Sequence, residues 1–219
     1  MNAILKPSPS DHKPRLSDRN AARFLRLPAA KHSRFLHDQK YPRGSPQTFK
    51  QPFYAPAIFG IREVVKRGFP GLIEARAKLA RVSSDSRRNN LTRVLESFAG
   101  SPYAKRRLTL ATAHRYHAEI HNLELRFSPH IVATEDDEMR YIYFHEKGKE
   151  CDPEEARLTL EFGCWILKQN GVDVQPRQLE LIDLFTGKLY KGQEPRVETV
   201  KTLEELVKII NKLWPEIEP

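Results

Sequence analysis

The segment of residues 123–190 constrains the fold most, because it carries nearly all of the regular apolar pattern in the chain. Apolar and charged residues alternate over 123–127, which is the period of a half-buried strand. Ser128-Pro129 interrupts the pattern, since proline has no N–H to give to a strand ladder. Residues 130–134 and 139–144, separated by an acidic turn, are rich in strand-favouring side chains. The segment therefore predicts three strands joined by turns.

A helix is predicted after these strands. Asp152 suits the N-cap position and Pro153 the first helical position, so the chain has the residues that open a helix. Apolar residues that include Phe162 and Trp165 then recur on one face, and Asn170-Gly171 is typical of a helix end. The apolar run 179–184 that follows is predicted as a largely buried strand, and 186–188 as the turn into Leu189-Tyr190.

Residues 57–118 carry apolar residues at helical spacing and predict four helices. The first ends at Gly68, the second covers 72–80, and the third lies just before Gly100. The fourth is predicted over 103–117.

Three histidines near this fourth helix fall at positions i, i+3 and i+7: His114, His117 and His121. If the helix extends that far, the three side chains share one face. Two interpretations are open. The histidines belong to a solvated basic face, or a metal ion uses two of them with Glu124 nearby.

Residues 1–56 contain eight of the sixteen prolines and no sustained periodicity. Only 17–27 has the apolar spacing of a short helix. The rest of this part is predicted to be an extended arm that becomes ordered against another surface.

Together these patterns predict an α/β (α+β) fold with a small mixed sheet and flanking helices. The chain divides into a basic arm at 1–56, a helical region packed on the core at 57–118, and an α/β core domain at 119–219. Cys151 and Cys164 have neither disulfide-framework nor zinc spacing, so reduced thiols in a cytoplasmic protein are expected. No apolar run approaches the length of a membrane span, and no membrane partner is expected.

The charge of the chain is divided unequally. Residues 1–110 hold 23 lysines and arginines against 7 aspartates and glutamates, a balance of +16, whereas the remainder has a balance of −7. Such asymmetry points to nucleic acid or an acidic protein partner at the front half. The alternative is that the two halves neutralise each other within one fold.

The order of elements over 103–190, helix, three strands, helix and strand, resembles the core of the PD-(D/E)XK nuclease-like superfamily, and the Ser128-Pro129 turn adds to the resemblance. The resemblance covers about half of the chain. It implies an aspartate after the proline, and a glutamate and a lysine two residues apart on the next strand. These groups would hold a divalent metal ion and polarise the attacking water.

This chain departs from that pattern at each motif. His130 stands where the aspartate is required, and Tyr143 and His145 share the strand face where the glutamate and lysine should be. Glu119 matches a carboxylate that some members place on the leading helix. These four positions are interpreted as a degenerate site, so no catalytic residue, no metal and no cofactor are predicted.

Two basic clusters are the predicted nucleic-acid-binding residues: Arg87, Arg88, Asn89, Asn90, Lys105, Arg106 and Arg107. Arginine and asparagine suit phosphates, and asparagine also reads base edges. A charged helix surface that keeps the domain soluble explains the same residues. Four aromatic residues lie among basic ones, either as stacking groups for single strands or as anchors onto the core: Tyr41, Phe49, Phe53 and Tyr54.

These observations favour binding over catalysis. The predicted function is a non-catalytic nucleic-acid-binding protein on a nuclease-like fold that has lost its metal site. One alternative is an accessory or inhibitor protein whose basic arm wraps an acidic partner. The other is a metal-dependent nuclease with a rearranged active site.

Overall fold

A computed structural model of the chain describes residues 13–41 and 53–218. Within this part the fold is mixed α/β, which confirms the predicted fold class. The described residues form eight strands: β1 Arg15–Ser17, β2 Thr109–Leu110, β3 His117–Ile120, β4 Leu123–Arg126, β5 Ile131–Glu135, β6 Glu138–His145, β7 Leu179–Asp183 and β8 Leu189–Lys191. The α-helices are α1 Asp18–Arg26, α2 His32–Lys40, α3 Ala55–Arg67, α4 Phe69–Ala80, α5 Asp85–Ala99, α6 Pro153–Gln169 and α7 Val197–Leu213.

The strands form a five-stranded sheet in the order β2-β5-β6-β7-β8 and a three-stranded sheet in the order β1-β4-β3. β5 and β6 make an antiparallel hairpin, whose turn residues Asp136 and Asp137 have φ values of 49° and 62°. Both residues are thus left-handed, as a two-residue hairpin turn of type I′ requires. This confirms the acidic turn predicted between the two strands.

α6 connects β6 to β7, which lie parallel to each other. Its start follows the predicted chemistry, because the Asp152 side chain accepts a hydrogen bond of 3.0 Å from the Glu154 N–H and Pro153 opens the helix. Gly163 lies where the helix meets the sheet, and a Cβ there would come within 2.8 Å of the Tyr143 Oη. Glycine therefore permits the close packing of α6 on the strands.

Helices cover both faces of the five-stranded sheet. Alternate residues of a strand therefore enter two separate cores. Tyr141 and Tyr143 of β6 face the core that contains α1, α6 and α7. Ile142 and Phe144 face the core formed with α3, α4 and α5. The three helices predicted before Gly100 are confirmed, and they make one layer of the molecule.

Outside the helix predicted at 17–27, the prediction of an extended N-terminal arm is wrong for the described residues, because β1 begins at Arg15 and α2 covers His32–Lys40. β1 pairs in parallel with β4, and α1 packs against α6 with Phe24 completely buried. The short helix predicted at 17–27 is confirmed, since the Ser17 Oγ caps α1 by accepting from the Asn20 N–H at 3.1 Å. Five of the eight prolines lie in residues 1–12 and 42–52, outside the described residues, so the proline count says little about α1 and α2.

The helix predicted over 103–117 is also wrong. A short 3-10 turn covers Pro102–Lys105, and β2 then pairs with β5, with Thr109 opposite Thr134. The three histidines consequently share no helical face. His117 begins β3, and His121 is a turn residue with a φ of 50°.

Both cysteines are free and buried, as expected of reduced thiols. Burial raises the pKa of the Cys151 thiol to about 12 and also raises the pKa of Cys164. In the part of the chain that the structure describes, no helix combines the length and the apolarity that crossing a membrane requires.

Candidate functional site

A cavity of about 420 Å³ opens at the end of the five-stranded sheet where β5 begins and β6 ends. The first turn of α1, the start of α3 and the 128–130 turn form its walls. We call it the sheet-end cavity and define it by its charged and polar lining: Ser17, Arg19, Asn20, Arg62, Ser128, His130 and Glu146. Three aromatic side chains, Phe53, Tyr54 and Phe59, lie on the side of α3.

His130 is held at the base of the cavity by its backbone and by one ring nitrogen. Its Nδ1 accepts a hydrogen bond of 2.7 Å from the Phe144 N–H, and its carbonyl oxygen accepts from the Arg62 guanidinium at 2.6 Å. Burial and the neighbouring Arg19 and Arg62 charges hold the pKa of His130 well below its usual value. The other ring nitrogen, Nε2, contacts the Arg19 Nη1.

The two arginines of the cavity differ in their partners. Arg19 donates from Nη2 to both carboxylate oxygens of the buried Glu146, at 3.0 and 3.3 Å. Arg62 donates to the His130 carbonyl and stacks over Phe59 at 5.8 Å, and no carboxylate among the described residues pairs with it. Burial lowers the pKa of Arg62, although an arginine still carries its charge at neutral pH. The cavity therefore has one positive charge in excess.

A second polar network lies beneath the cavity and centres on Asp18, which is completely buried. Its carboxylate accepts from the Tyr143 hydroxyl at 2.5 Å and from the Ser128 hydroxyl at 2.8 Å. The backbone N–H groups of Arg19 and Ser128 also donate to it. Burial raises the pKa of Asp18, and burial together with the Asp18 charge raises the pKa of Tyr143 well above its usual value. The network fixes the start of α1 to β6.

The four positions predicted as a degenerate nuclease site do not converge. His130 lies in the cavity and Tyr143 beneath it, whereas the buried His145 bonds through Nε2 to the Lys149 carbonyl at 2.9 Å. Glu119 is exposed in β3, not on a helix, and forms an ion pair with Lys13 at 2.6 Å. The described residues contain no group of three or more His, Cys, Asp or Glu side chains placed to hold a metal ion.

The first basic cluster lies at the start of α5 and extends the cavity. The Arg87 guanidinium stacks over Phe53 at 5.4 Å, and its Nε is buried without a hydrogen-bond partner in the described structure. Arg88 is partly engaged, since it donates to the Val82 carbonyl at 2.9 Å and pairs with Asp85. Asn89 is exposed, while Asn90 donates to its own helix.

The second cluster is separate from the first. It follows the other end of α5, a helix of 15 residues, so the two clusters lie roughly 22 Å apart along the axis. Lys105 and Arg107 are exposed, but Arg106 donates to Glu135 at 2.6 and 2.7 Å and to the buried Glu180 at 2.5 Å. Glu135 and Glu180 thus raise the pKa of Arg106. Arg106 therefore joins two carboxylates, those of Glu135 and Glu180, within the fold, and its donors are engaged there and not on an anion-binding surface.

The aromatic residues of the sequence prediction lie in different places in the structure. Tyr41 packs on the core and points its hydroxyl at the Ile217 carbonyl at 3.4 Å, so it is an anchor. Phe53 is 46 % exposed beside the cavity, and Tyr54 is partly buried against α3 and α5. Phe49 lies outside the described residues.

The sequence interpretation missed Asp18, Arg19 and Arg62 as site residues. The only local signal was the capping serine at 17, which places the next residues in the first turn of a helix. No family model matches the chain, and no curated protein matches its sequence.

Proposed function

We propose that this chain binds nucleic acid without cleaving it, and that it does so through the sheet-end cavity and a surface that we call the basic rim. The basic rim comprises Phe53, Phe59, Arg62 and Arg87. The proposal depends on one observation: two exposed aromatic rings border a cavity with excess positive charge, and an arginine stacks on each ring, Arg62 on Phe59 and Arg87 on Phe53.

The chemistry of the rim supports this choice. Phe53 and Phe59 are 46 % and 50 % exposed, although large apolar rings are usually buried. Aromatic faces stack on bases of any sequence, and arginine both pairs with phosphate and stacks on rings. Single-stranded nucleic acid therefore suits the rim better than a duplex, whose bases are already stacked.

The carboxylates near the cavity support binding rather than hydrolysis. Arg19 neutralises Glu146, and Asp18 has four donors bound to it. A divalent cation needs several free oxygen ligands, and these two groups are already engaged. We further propose that the β5–β6–α6–β7 unit is a core of the PD-(D/E)XK type in which His130 and Arg19 occupy the former metal region.

Salt dependence of binding tests the proposal. The logarithm of the binding constant is expected to fall with the logarithm of salt concentration, by about 0.7 per phosphate contact on single strands and about 0.9 on duplex. Replacing Arg62 and Arg87 with alanine should weaken binding for all sequences alike and flatten the slope by about 1.4 on single strands. Fluorescence anisotropy of a labelled oligonucleotide across a salt series measures both quantities.

Arg177→Ala is the matched control. Arg177 is exposed and pairs with Glu138 at 2.7 Å, at the opposite end of β6 from the cavity. Its loss should leave the slope unchanged. A slope equally affected by Arg177→Ala, or no binding at low salt, would contradict the assignment to the basic rim.

A cleavage assay tests the other half of the proposal. Purified protein incubated with single- and double-stranded substrates and magnesium or manganese is expected to give no cleavage above background. Glu146→Gln is the relevant variant, because Glu146 is the carboxylate that lines the cavity. Cleavage by the unmodified protein that this variant abolishes would establish a rearranged nuclease site instead.

A second candidate function is docking of an acidic protein. A groove of about 560 Å³ between α3 and α4 is lined by apolar residues that include Ala75, Leu79 and Leu110, and by three basic residues and one acidic residue: Arg62, Lys66, Lys78 and Glu63. Apolar walls with a net positive charge suit an amphipathic helix that carries acidic residues. Binding of such a partner in place of nucleic acid would favour this candidate.

A further inference from the structure

We propose that the sheet-end cavity receives the terminal phosphate of a nucleic-acid strand. This inference rests on the proposed function and specifies the ligand class: a phosphate monoester at a strand end, rather than the internal phosphodiesters that any basic surface attracts.

The cavity is lined by two arginines and one carboxylate. Arg62 donates to the His130 carbonyl and has no carboxylate partner among the described residues. Arg19 is bonded to Glu146 and contacts the His130 Nε2. The excess positive charge of Arg62 therefore faces this space, and a group with several acceptor oxygens would satisfy it.

The carboxylate in this space is already engaged, because both oxygens of Glu146 accept from Arg19. The Ser17 Oγ accepts from the Asn20 N–H, and the Ser128 hydroxyl donates its proton to Asp18. The charge that stays without a carboxylate partner is therefore positive, and a phosphate brings acceptors and negative charge to it.

The backbone N–H groups at the start of α1 contribute few direct hydrogen bonds to a phosphate. The N–H groups of Arg19 and Asn20 are bonded to the side chains of Asp18 and Ser17. The positive end of the α1 dipole still borders the cavity and favours an anion there. Specific recognition therefore comes from the side chains of Arg19 and Arg62.

The shape of the site favours a strand end. Ser128 lines the cavity and is bonded to the completely buried Asp18, so on this side the cavity ends against the protein core and a strand that enters from the opposite side stops there. A volume of about 420 Å³ lies within the range of roughly 300–1,000 Å³ for small-ligand pockets, which suits a single nucleotide. The next base would then reach Phe53 or Phe59 on the basic rim.

Oligonucleotides of one sequence that differ only at their ends test the proposal on the unmodified protein. We expect a 5′- or a 3′-phosphorylated strand to bind at least about tenfold more tightly than the strand with hydroxyl at both ends. Arg62→Gln should abolish this preference, and Arg62→Lys should restore part of it by returning the charge without the fork. Arg87→Ala, on the rim outside the cavity, should weaken all strands equally and keep the preference.

Competition distinguishes the end of a strand from a free nucleotide. A nucleoside monophosphate that displaces the phosphorylated strand only at far higher concentration supports a strand-end site, whereas equal affinity would identify a mononucleotide site and overturn the strand-end proposal. Equal binding of all strand ends with a normal salt slope would overturn the phosphate site and leave the proposed function intact. If no oligonucleotide binds, both proposals are refuted.

Discussion

Replacing Asp18 with alanine is expected to lower the free energy of unfolding by roughly 3–5 kcal/mol. The carboxylate is completely buried and accepts four hydrogen bonds, from Tyr143, from Arg19 and twice from Ser128. Its removal leaves these donors without an acceptor and opens a space between α1 and β6. Urea denaturation followed by circular dichroism measures the loss.

Two milder variants identify the cause. Tyr143→Phe removes a single donor and should cost about 1 kcal/mol, while Asp18→Asn keeps the size but turns one oxygen into a donor that faces other donors. If Asp18→Ala cost no more than Tyr143→Phe, the network would not be what fixes α1 to the sheet.

The difference in stability between the unmodified protein and Asp18→Asn should depend on pH, in a direction that the pKa of Asp18 fixes. Burial raises the pKa of Asp18 in the folded state above its usual 3.8, so the folded protein holds this proton more tightly than the unfolded chain does. The resulting stabilisation is complete below the unfolded pKa and is lost as the pH rises through the folded pKa. Relative to Asp18→Asn, the unmodified protein should therefore lose stability over that interval. A difference that grows with pH instead would mean that the four hydrogen bonds outweigh burial.

The second large loss of stability is expected on truncating Phe162. Its side chain is completely buried in the core that α6 shares with α1 and α7, and truncating such a residue to alanine costs about 3–5 kcal/mol. Trp165 is the matched control, since it lies one turn along the same helix but is only partly buried. Trp165→Ala should lower the melting temperature clearly less than Phe162→Ala. Equal losses would mean that Trp165 carries as much of the core as Phe162.

The strands and α6 could be predicted because their signals are local. Alternation marked β4, strand-favouring side chains marked β5 and β6, and Asp152-Pro153 marked the helix start. β2 lacked such a signal, since its two residues are a strand only by pairing with β5. The short segment could not be distinguished from the end of a helical region without knowledge of that pairing.

The candidate site was found only in part for the same reason. His130 stood out because it follows Ser128-Pro129 in the place of an expected aspartate. Arg19 and Arg62 reach His130 across 111 and 68 residues, and no local pattern records contacts over such separations. Their role depends on the fold and not on their neighbours in the sequence.

The charge asymmetry had two explanations, and the structure shows that one of them operates. Ion pairs join the basic front half to the acidic remainder: Arg19–Glu146, Arg26–Asp152, Arg106–Glu135 and Arg106–Glu180. Part of the +16 balance is thus neutralised inside the fold. Arg62 and Arg87 have no such partners among the described residues, which is why the proposals rest on them.

The position of the N-terminal segment also has a consequence for biosynthesis. The Lys40 Nζ donates to the carbonyls of Trp214 and Ile217, which are 174 and 177 residues away in the chain. As the chain leaves the ribosome from its N-terminus, α1 and α2 emerge long before α6 and α7 exist to cover their apolar sides. Contacts between residues so far apart in the sequence form slowly, because a long loop must close first. α1 and α2 are therefore synthesised well before the helices that complete their native contacts.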